Sequence, residues 1–442
     1  MHPRRIQDLY QSLTCPQCLL ACFALAVFTV GSPDKVGAEL IVSPTKIVLD
    51  SPEASQQIVV SVVTENGRRD VTREIKLVVT DDSVAIVQGN SLVRPRSEGR
   101  TEISVTLGQE TVNIPIEVVK QRNPDPVSFR NEIIPILTKA HCNSGGCHGK
   151  AEGQNGFELS IFGFDVESDY AALMKNGKGR RISLTQPVTS LLLLKGTSQM
   201  PHGGGRKIEE GSYRYHRLLR WIREGARLDP EDSEAGQIVK IDVEPREQIL
   251  FGGGTQQLRV TAIDSSGVRR CVTVEAEYES NATAIADVDH QGLIQASDIP
   301  GEAAILVRYL GHVTSCRVTL PRPGVTFERP AETNFVDTHV WNQLARLGIE
   351  AGDAASESEF LRRVYLDTIG TLPTSAEARK YLADASPNKR DKLIDDLLNR
   401  SEYVDYWTMK WLDVLRADQL QVTPQGTVAM QRWLRHSFQQ NV

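Results

Sequence analysis

The sequence predicts a multidomain chain in which two all-β sandwiches flank an all-α domain, with a mainly α segment at the C-terminal end. Three observations predict it. Residues 39–120 and 237–321 each alternate short β-branched runs with turn signals. Those two stretches align as diverged copies. Residues 126–229 and 332–442 instead place apolar residues at helical spacing. A chain of 442 residues is also too long for one ordinary core.

Residues 1–38 have the layout of a secretory signal peptide: Arg4 and Arg5 at the start, the apolar run Cys18–Val30, and the small-residue site around Val36-Gly37-Ala38. The apolar run is shorter than the roughly 18 residues a membrane span needs, although an uncleaved anchor is the competing reading. The expectation is an exported protein, in the periplasm or at the cell surface, with no transmembrane span after signal removal. Of the seven cysteines, Cys15, Cys18 and Cys22 leave with the signal, and Cys142, Cys147, Cys271 and Cys316 remain. A net charge of −6 argues against a nucleic-acid partner.

In residues 39–120 the runs Ile58-Val59-Val60, Val62-Val63, Ile75–Val79 and Ile103-Ser104-Val105 predict strands, separated by turns at Glu65-Asn66-Gly67, Asp81-Asp82-Ser83 and Gln88-Gly89-Asn90. Many short strands in such a span predict a sandwich. The copy in 237–321 matches in order: Asn66–Thr72 with Ser266–Thr273 (one insertion), Ser83–Val87 with Ala282–Ala286, and Gly99–Val105 with Gly301–Val307. In these segments the sequence resembles the bacterial Ig-like group 2 domains of surface proteins. The resemblance implies an Ig-like sandwich serving as spacer or adhesion module, with a surface polysaccharide or protein ligand as partner, and no chemistry. Cys271 and Cys316, both in the second copy, read either as a disulfide or as two buried thiols.

The chemistry lies in the insert, at Ala140-His141-Cys142-Asn143-Ser144-Gly145-Gly146-Cys147-His148-Gly149. Cys-x-x-Cys-His is the attachment sequence of c-type haem. Two thiols add to the haem vinyl groups, which holds the ring beside the following imidazole. Here the spacer has four residues, and Gly145-Gly146 are expected to supply the backbone freedom for a compact loop. The helical stretches Val127–Ala140 and Tyr213–Ala226 open and close the insert, as in a small cytochrome c. On the far side of the iron, Met200 is the generic sixth ligand and His202 its imidazole alternative. The same four residues, His141, Cys142, Cys147 and His148, also read as a zinc site, and the two cysteines as a disulfide.

The insert resembles the planctomycete-type cytochrome c domain over Cys142–His148, Asn155–Asp165, Pro201–Gly205 and Leu219–Ala226. The resemblance implies haem c (iron) held by thioethers at Cys142 and Cys147, His148 as proximal ligand, and a redox partner protein. The four-residue spacer departs from the family pattern. The insert carries 15 Lys and Arg against 10 Asp and Glu. Arg180, Arg181, Arg206 and Lys207 are candidates to neutralise haem propionates, or form an ordinary solvated surface.

From about Glu332 the chain is read as helical. Helices are expected over Thr338–Leu347, over Glu357–Ile369 with Ser356 as cap, and from Ser386-Pro387 to Leu398. The stretch Arg362-Arg363-Val364-Tyr365-Leu366-Asp367-Thr368-Ile369-Gly370-Thr371-Leu372-Pro373-Thr374 resembles the start of a planctomycete domain of unknown function. That domain normally continues further, so a shortened chain is expected. Trp407, Trp411 and Trp433 read as core residues. No phosphate loop, nucleophile elbow or metalloprotease helix is present in the sequence. The whole is similar to planctomycete-type multidomain envelope proteins, and an electron carrier or haem-binding protein is expected rather than an enzyme. The alternatives are an Ig-like adhesion or scaffold protein without haem, and an accessory haem protein in extracellular polymer breakdown.

Overall fold

The computed structural model describes residues 39–64, 67–89, 91–230 and 236–441, so the expected signal peptide lies outside the described residues. The N-terminal region is all-β. Strands Ile47–Leu49, Glu110–Val118, Gly99–Leu107 and Lys76–Val79 form one sheet in that order. Leu40–Ser43, Val59–Thr64 and Gly67–Asp70 form a second. Alternate residues point inward, and Ile47, Val60, Val93, Ile103 and Val105 make a shared core with no exposed surface.

The middle β region repeats this plan strand for strand. Glu247–Ile249, His312–Leu320, Gly301–Tyr309 and Glu277–Ser280 match the first sheet, including one parallel pairing at the same edge. The copies share small devices as well as strands. Thr72 Oγ1 accepts the Val60 amide at 2.9 Å, and Thr273 Oγ1 accepts the Val260 amide at 2.8 Å. A Cβ added at Gly99 would sit 3.0 Å from Val84, and one at Gly301 would sit 2.6 Å from Ile285, so both copies need a bare backbone there.

The insert between the copies contains short helices and irregular segments around its own core. They are α1 (Ile134–Lys139), α2 (Val166–Met174), α3 (Leu191–Gly196) and α4 (Tyr213–Arg223). The single helix expected over Val127–Ala140 opens instead with a π-helical turn at Phe129–Ile133, next to Pro135, which has no amide to donate. Phe129, Ile133, Leu137, Leu218, Trp221 and Ile222 fill the core, with the Phe129 and Trp221 rings 5.3 Å apart.

The sequence reads as consecutive modules, but the described residues through Gly324, with Arg346–Gly348, form one compact unit. Helix α4 joins the three parts. Tyr213, Arg217, Arg220 and Glu224 lie at helical spacing on one face. Arg217 is 1% exposed. It pairs with Glu275 of the second sandwich at 2.8 Å and Glu132 of the insert at 3.3 Å, and donates to the Glu53 carbonyl of the first sandwich at 3.3 Å. Arg220 binds the Glu53 carboxylate at 2.8 Å. Arg270 approaches Glu275 at 3.6 Å and donates to the Asn131 carbonyl at 3.0 Å. Burial opposes the charge on Glu275, but Arg270 and Arg217 overcome it and hold the carboxyl below its usual range.

The sandwiches also meet each other directly. The Gln57 amide donates to Cys271 Sγ at 3.4 Å, while the equivalent Gln257 amide donates to Asp70, the equivalent of Cys271. Cys271 therefore faces the other sandwich, whereas Cys316 lies in its own sandwich core, where burial pushes its thiol up to about 12. Both thiols are free, and the disulfide expected as one reading does not form.

Val325–Ala345 and Ile349 onward form a second unit, which is helical. Its helices are α5 (Phe335–Leu347), α6 (Glu357–Ile369), α7 (Ser375–Ala383), α8 (Lys389–Leu398), α9 (Ser401–Val414) and α10 (Gln419–Gln440). Ser356 forms the expected cap of α6, reinforced by Glu359 in a capping box. Leu361, Tyr365, Ile369, Tyr381 and Leu397 form the core. Of the three tryptophans expected there, Trp407 donates to the Thr368 carbonyl at 3.1 Å, but Trp411 is 43% and Trp433 62% exposed. Helical spacing marks one face of a helix without saying whether that face is covered.

Two outcomes test the clamp. Arg217→Ala leaves Glu275 and Glu132 with the longer ion pairs to Arg270, at 3.6 and 3.9 Å, and lowers stability by about 3 kcal/mol, read from urea unfolding of the first unit. Because the folded-state pKa of Glu275 is depressed, its contribution is full above the unfolded value of about 4.3 and is lost as pH falls through the folded value. The stability gap between wild type and Glu275→Gln therefore closes in acid, below about pH 4.

Candidate functional site

The cysteine loop begins where α1 stops. Ala140 closes the last turn, His141 takes φ 56°, and the Cys142 amide returns to the Leu137 carbonyl at 2.8 Å. The loop then folds on itself. The Cys147 and Gly149 amides both reach the Ser144 carbonyl at 2.9 Å, and the His148 amide reaches the Cys142 carbonyl at 3.0 Å. Cys142, Cys147 and His148 thus belong to one compact turn. Gly145 and Gly146, expected to permit it, stand in open space without positive φ. Gly149 is the glycine the turn requires, since a Cβ there would lie 2.2 Å from the Asn143 carbonyl oxygen.

Both loop thiols are free and half-buried. Cys142 packs against the insert core, where burial pushes its thiol up to about 11 against the pull of Lys207.

His148 is held in one orientation. Its Nδ1 lies 2.9 Å from the Phe157 carbonyl, and its ring rests 4.4 Å from the Phe157 ring. A carbonyl only accepts, so Nδ1 carries the proton and Nε2 keeps its lone pair. Burial lowers the imidazole pKa further, against the Phe157 bond, and so favours the neutral ring. Phe157 is placed by a two-residue hairpin. Gln154 and Phe157 exchange bonds of 2.9 and 3.0 Å around Asn155 (φ 51°) and Gly156 (φ 71°). Asn-Gly is the pair that such a left-handed turn favours. Arg181, 5% exposed, braces the hairpin from below. It donates to the carbonyls of Gly156 at 2.6 Å and Ala172 at 2.7 Å, and lies 4.5 Å from the Phe157 ring centre. It is a structural residue, not the propionate partner the sequence offered.

His202 comes from the loop after α3. Its Nδ1 donates to the Gly205 carbonyl at 2.9 Å. The His148 and His202 rings are parallel within 8°, with centres 6.3 Å apart. Met200, the generic ligand, is 40% exposed, and its amide bonds the Leu194 carbonyl at 3.0 Å. The fold brings His148 and His202 together. It does not make the zinc cluster: the His141 side chain is 67% exposed and turned toward Glu277 at 3.8 Å. Among the described residues, no group of three or more His, Cys, Asp and Glu side chains is arranged to hold a metal.

The residue types a c-type haem uses, two imidazoles and two thiols, are gathered here. The two imidazoles lie with ring centres 6.3 Å apart, each with Nδ1 against a backbone carbonyl. Two thiols lie on the adjoining loop. Sequence reading missed the carbonyls of Phe157 and Gly205 as orienting groups. The Asn155-Gly156 turn signal before Phe157 was the available clue to the first.

Residues 335–442 match the PSCyt2 family, described as a protein of unknown function (DUF1549). No curated protein matches the chain. Among solved structures, domains 5–6 of the S-layer protein SbsC are similar at 11% identity and TM-score 0.26, covering 64% of this chain and 98% of that one. Invasin, a bacterial integrin-binding protein, is similar at 13% identity and TM-score 0.14, covering 64% and 38%. The adhesin InvE of Yersinia pseudotuberculosis is similar at 10% identity and TM-score 0.14, covering 76% and 84%. These scores are too low to assign a fold, and the β architecture rests on the strand pairing itself. Among the described residues, no helix is long and apolar enough to cross a membrane.

The thiol state is open to measurement. With its thiol pushed up to about 11, Cys142 in the haem-free chain alkylates at pH 8 on the order of a hundred-fold more slowly than an unperturbed cysteine. Peptide mass spectrometry reads the rate, and urea removes the protection.

Proposed function

We propose that the chain is an exported cell-envelope protein, in the periplasm or at the surface, that carries one haem c and passes single electrons to a redox partner. The observation that carries this reading is the His148–His202 pair: parallel rings 6.3 Å apart, each with Nδ1 against a backbone carbonyl. When bound, the haem supplies a reversible one-electron couple. The residues of the chain do the rest. Cys142 and Cys147 would anchor the ring, His148 and His202 would present their Nε2 atoms to it, and the two carbonyls hold each Nδ1. Two imidazoles hold the potential below that of a Met/His pair. Met200 remains the competing distal ligand from sequence.

A second reading is an Ig-like scaffold or adhesion protein without haem. The repeated sandwich plan and the direct contacts between the copies favour it, because both serve a rigid spacer.

Production in cells able to mature cytochromes separates the two. The haem reading expects a mass gain of one porphyrin that survives acid-acetone, and sharp α and β bands on reduction. His202→Ala then shifts the spectrum toward high spin, and Met200→Ala leaves it unchanged. A colourless chain of unmodified mass leaves the scaffold reading.

A further inference from the structure

Where α4 begins, the two sandwiches and the insert enclose a cleft of about 1270 Å³ whose lining contains no residue of the cysteine loop. Small-molecule pockets span roughly 300–1,000 Å³, so this one is sized for a longer ligand. Its lining includes Arg73, Arg94, Lys207, Arg214 and Arg223. Among the described residues, none of these five pairs with a carboxylate, whereas each acidic lining residue has a partner, Glu209 only at 3.8 Å from the exposed Arg206. Glu53 binds Arg220 at 2.8 Å, Glu210 accepts from Gln199 at 3.0 Å, and Asp289 accepts the Gln291 and Leu293 amides at 2.8 and 2.9 Å.

The charges converge on one ring. The guanidinium carbons of Arg94, Arg214 and Arg217 lie 5.1, 5.7 and 5.7 Å from the centre of Tyr213. Glu275 and Glu132 neutralise Arg217. Among the described residues Arg94 and Arg214 make no ion pair, although Arg214 donates to the Tyr213 hydroxyl at 3.3 Å, and the buried Nε of Arg94 has no hydrogen-bond partner. Burial, reinforced by Arg217, disfavours the charge on Arg94, although Tyr213 and Glu275 oppose this. Two guanidinium groups without an ion-pair partner, held this close, are stabilised by an incoming anion.

We propose that this cleft binds a polyanionic glycan strand of uronate or sulfated sugars. Arginine forks match carboxylate and sulfate oxygens, and five cations spread over the first sandwich and the insert suit charges repeated along a chain. The amides of Gln88 and Gln291 line the same space and suit sugar hydroxyls. Peptide strand addition is disfavoured, because the backbone amides of Gln57 and Gln257 are already taken by Cys271 and Asp70. Single-stranded nucleic acid needs exposed aromatic platforms, and the Tyr213 ring is covered by guanidinium groups.

The test is affinity electrophoresis of the full chain in gels containing polygalacturonate, dextran sulfate or neutral dextran. The expected result is retardation by either polyanion, weakening with salt, and none by neutral dextran. Arg73→Gln, on the exposed rim, and Arg214→Gln each weaken the apparent affinity ten-fold or more, with urea midpoints checked for folding. Cys142→Ser/Cys147→Ser, which blocks haem attachment, binds as wild type, so failure of the haem reading leaves this result intact. Equal retardation by neutral dextran, unchanged affinity in both arginine variants, or binding only to polyglutamate or oligothymidine overturns the proposal.

Discussion

The first unit depends on Arg217. This side chain is 1% exposed and touches all three parts of the unit: Glu275 in the second sandwich, Glu132 in the insert and the Glu53 backbone in the first sandwich. A guanidinium in a dry site is tolerated only when its charge is met, and here carboxylates and a carbonyl from three sequence-distant segments meet it, although its Nε makes no hydrogen bond. Correct assembly of the parts is therefore a condition for burying the charge. Such a group contributes more to fixing one arrangement than to raw stability, since an apolar residue of similar volume avoids the desolvation cost altogether.

The candidate site is built on the same principle at smaller scale. Neither imidazole is left to choose its tautomer. The Asn155-Gly156 hairpin aims the Phe157 carbonyl at His148, and Arg181 stiffens that hairpin through carbonyls at Gly156 and Ala172. Gly149 lets the cysteine loop close on the Asn143 carbonyl. The polar groups around the histidines thus set geometry, and the insert core of Phe129 and Trp221 holds the elements that carry them.

Local features were legible in the sequence. The repeat was visible because its copies keep turn residues and β-branched runs at matching offsets, and Ser356 was visible because a capping residue acts within its own turn. What the sequence hid was pairing between distant parts. Nothing in the composition of α4 distinguishes Arg217, which is buried, from Arg223, which lines a cleft. Met200 and His202 stand two residues apart, and only the path of the loop decides which one faces His148. The solvent-facing Trp411 and Trp433 were misjudged because periodicity reports a helix face and not its neighbour.

The two reciprocal bonds between the sandwiches have an architectural meaning. Gln57 of one copy meets Cys271 of the other, and Gln257 meets Asp70, so each copy offers the same patch to its twin. That is the pattern of a homodimer related by a two-fold axis, here enclosed within a single polypeptide. Covalent tethering removes the concentration dependence of such a pair, and it frees the equivalent positions to diverge. The carboxylate at 70 and the thiol at 271 record that freedom.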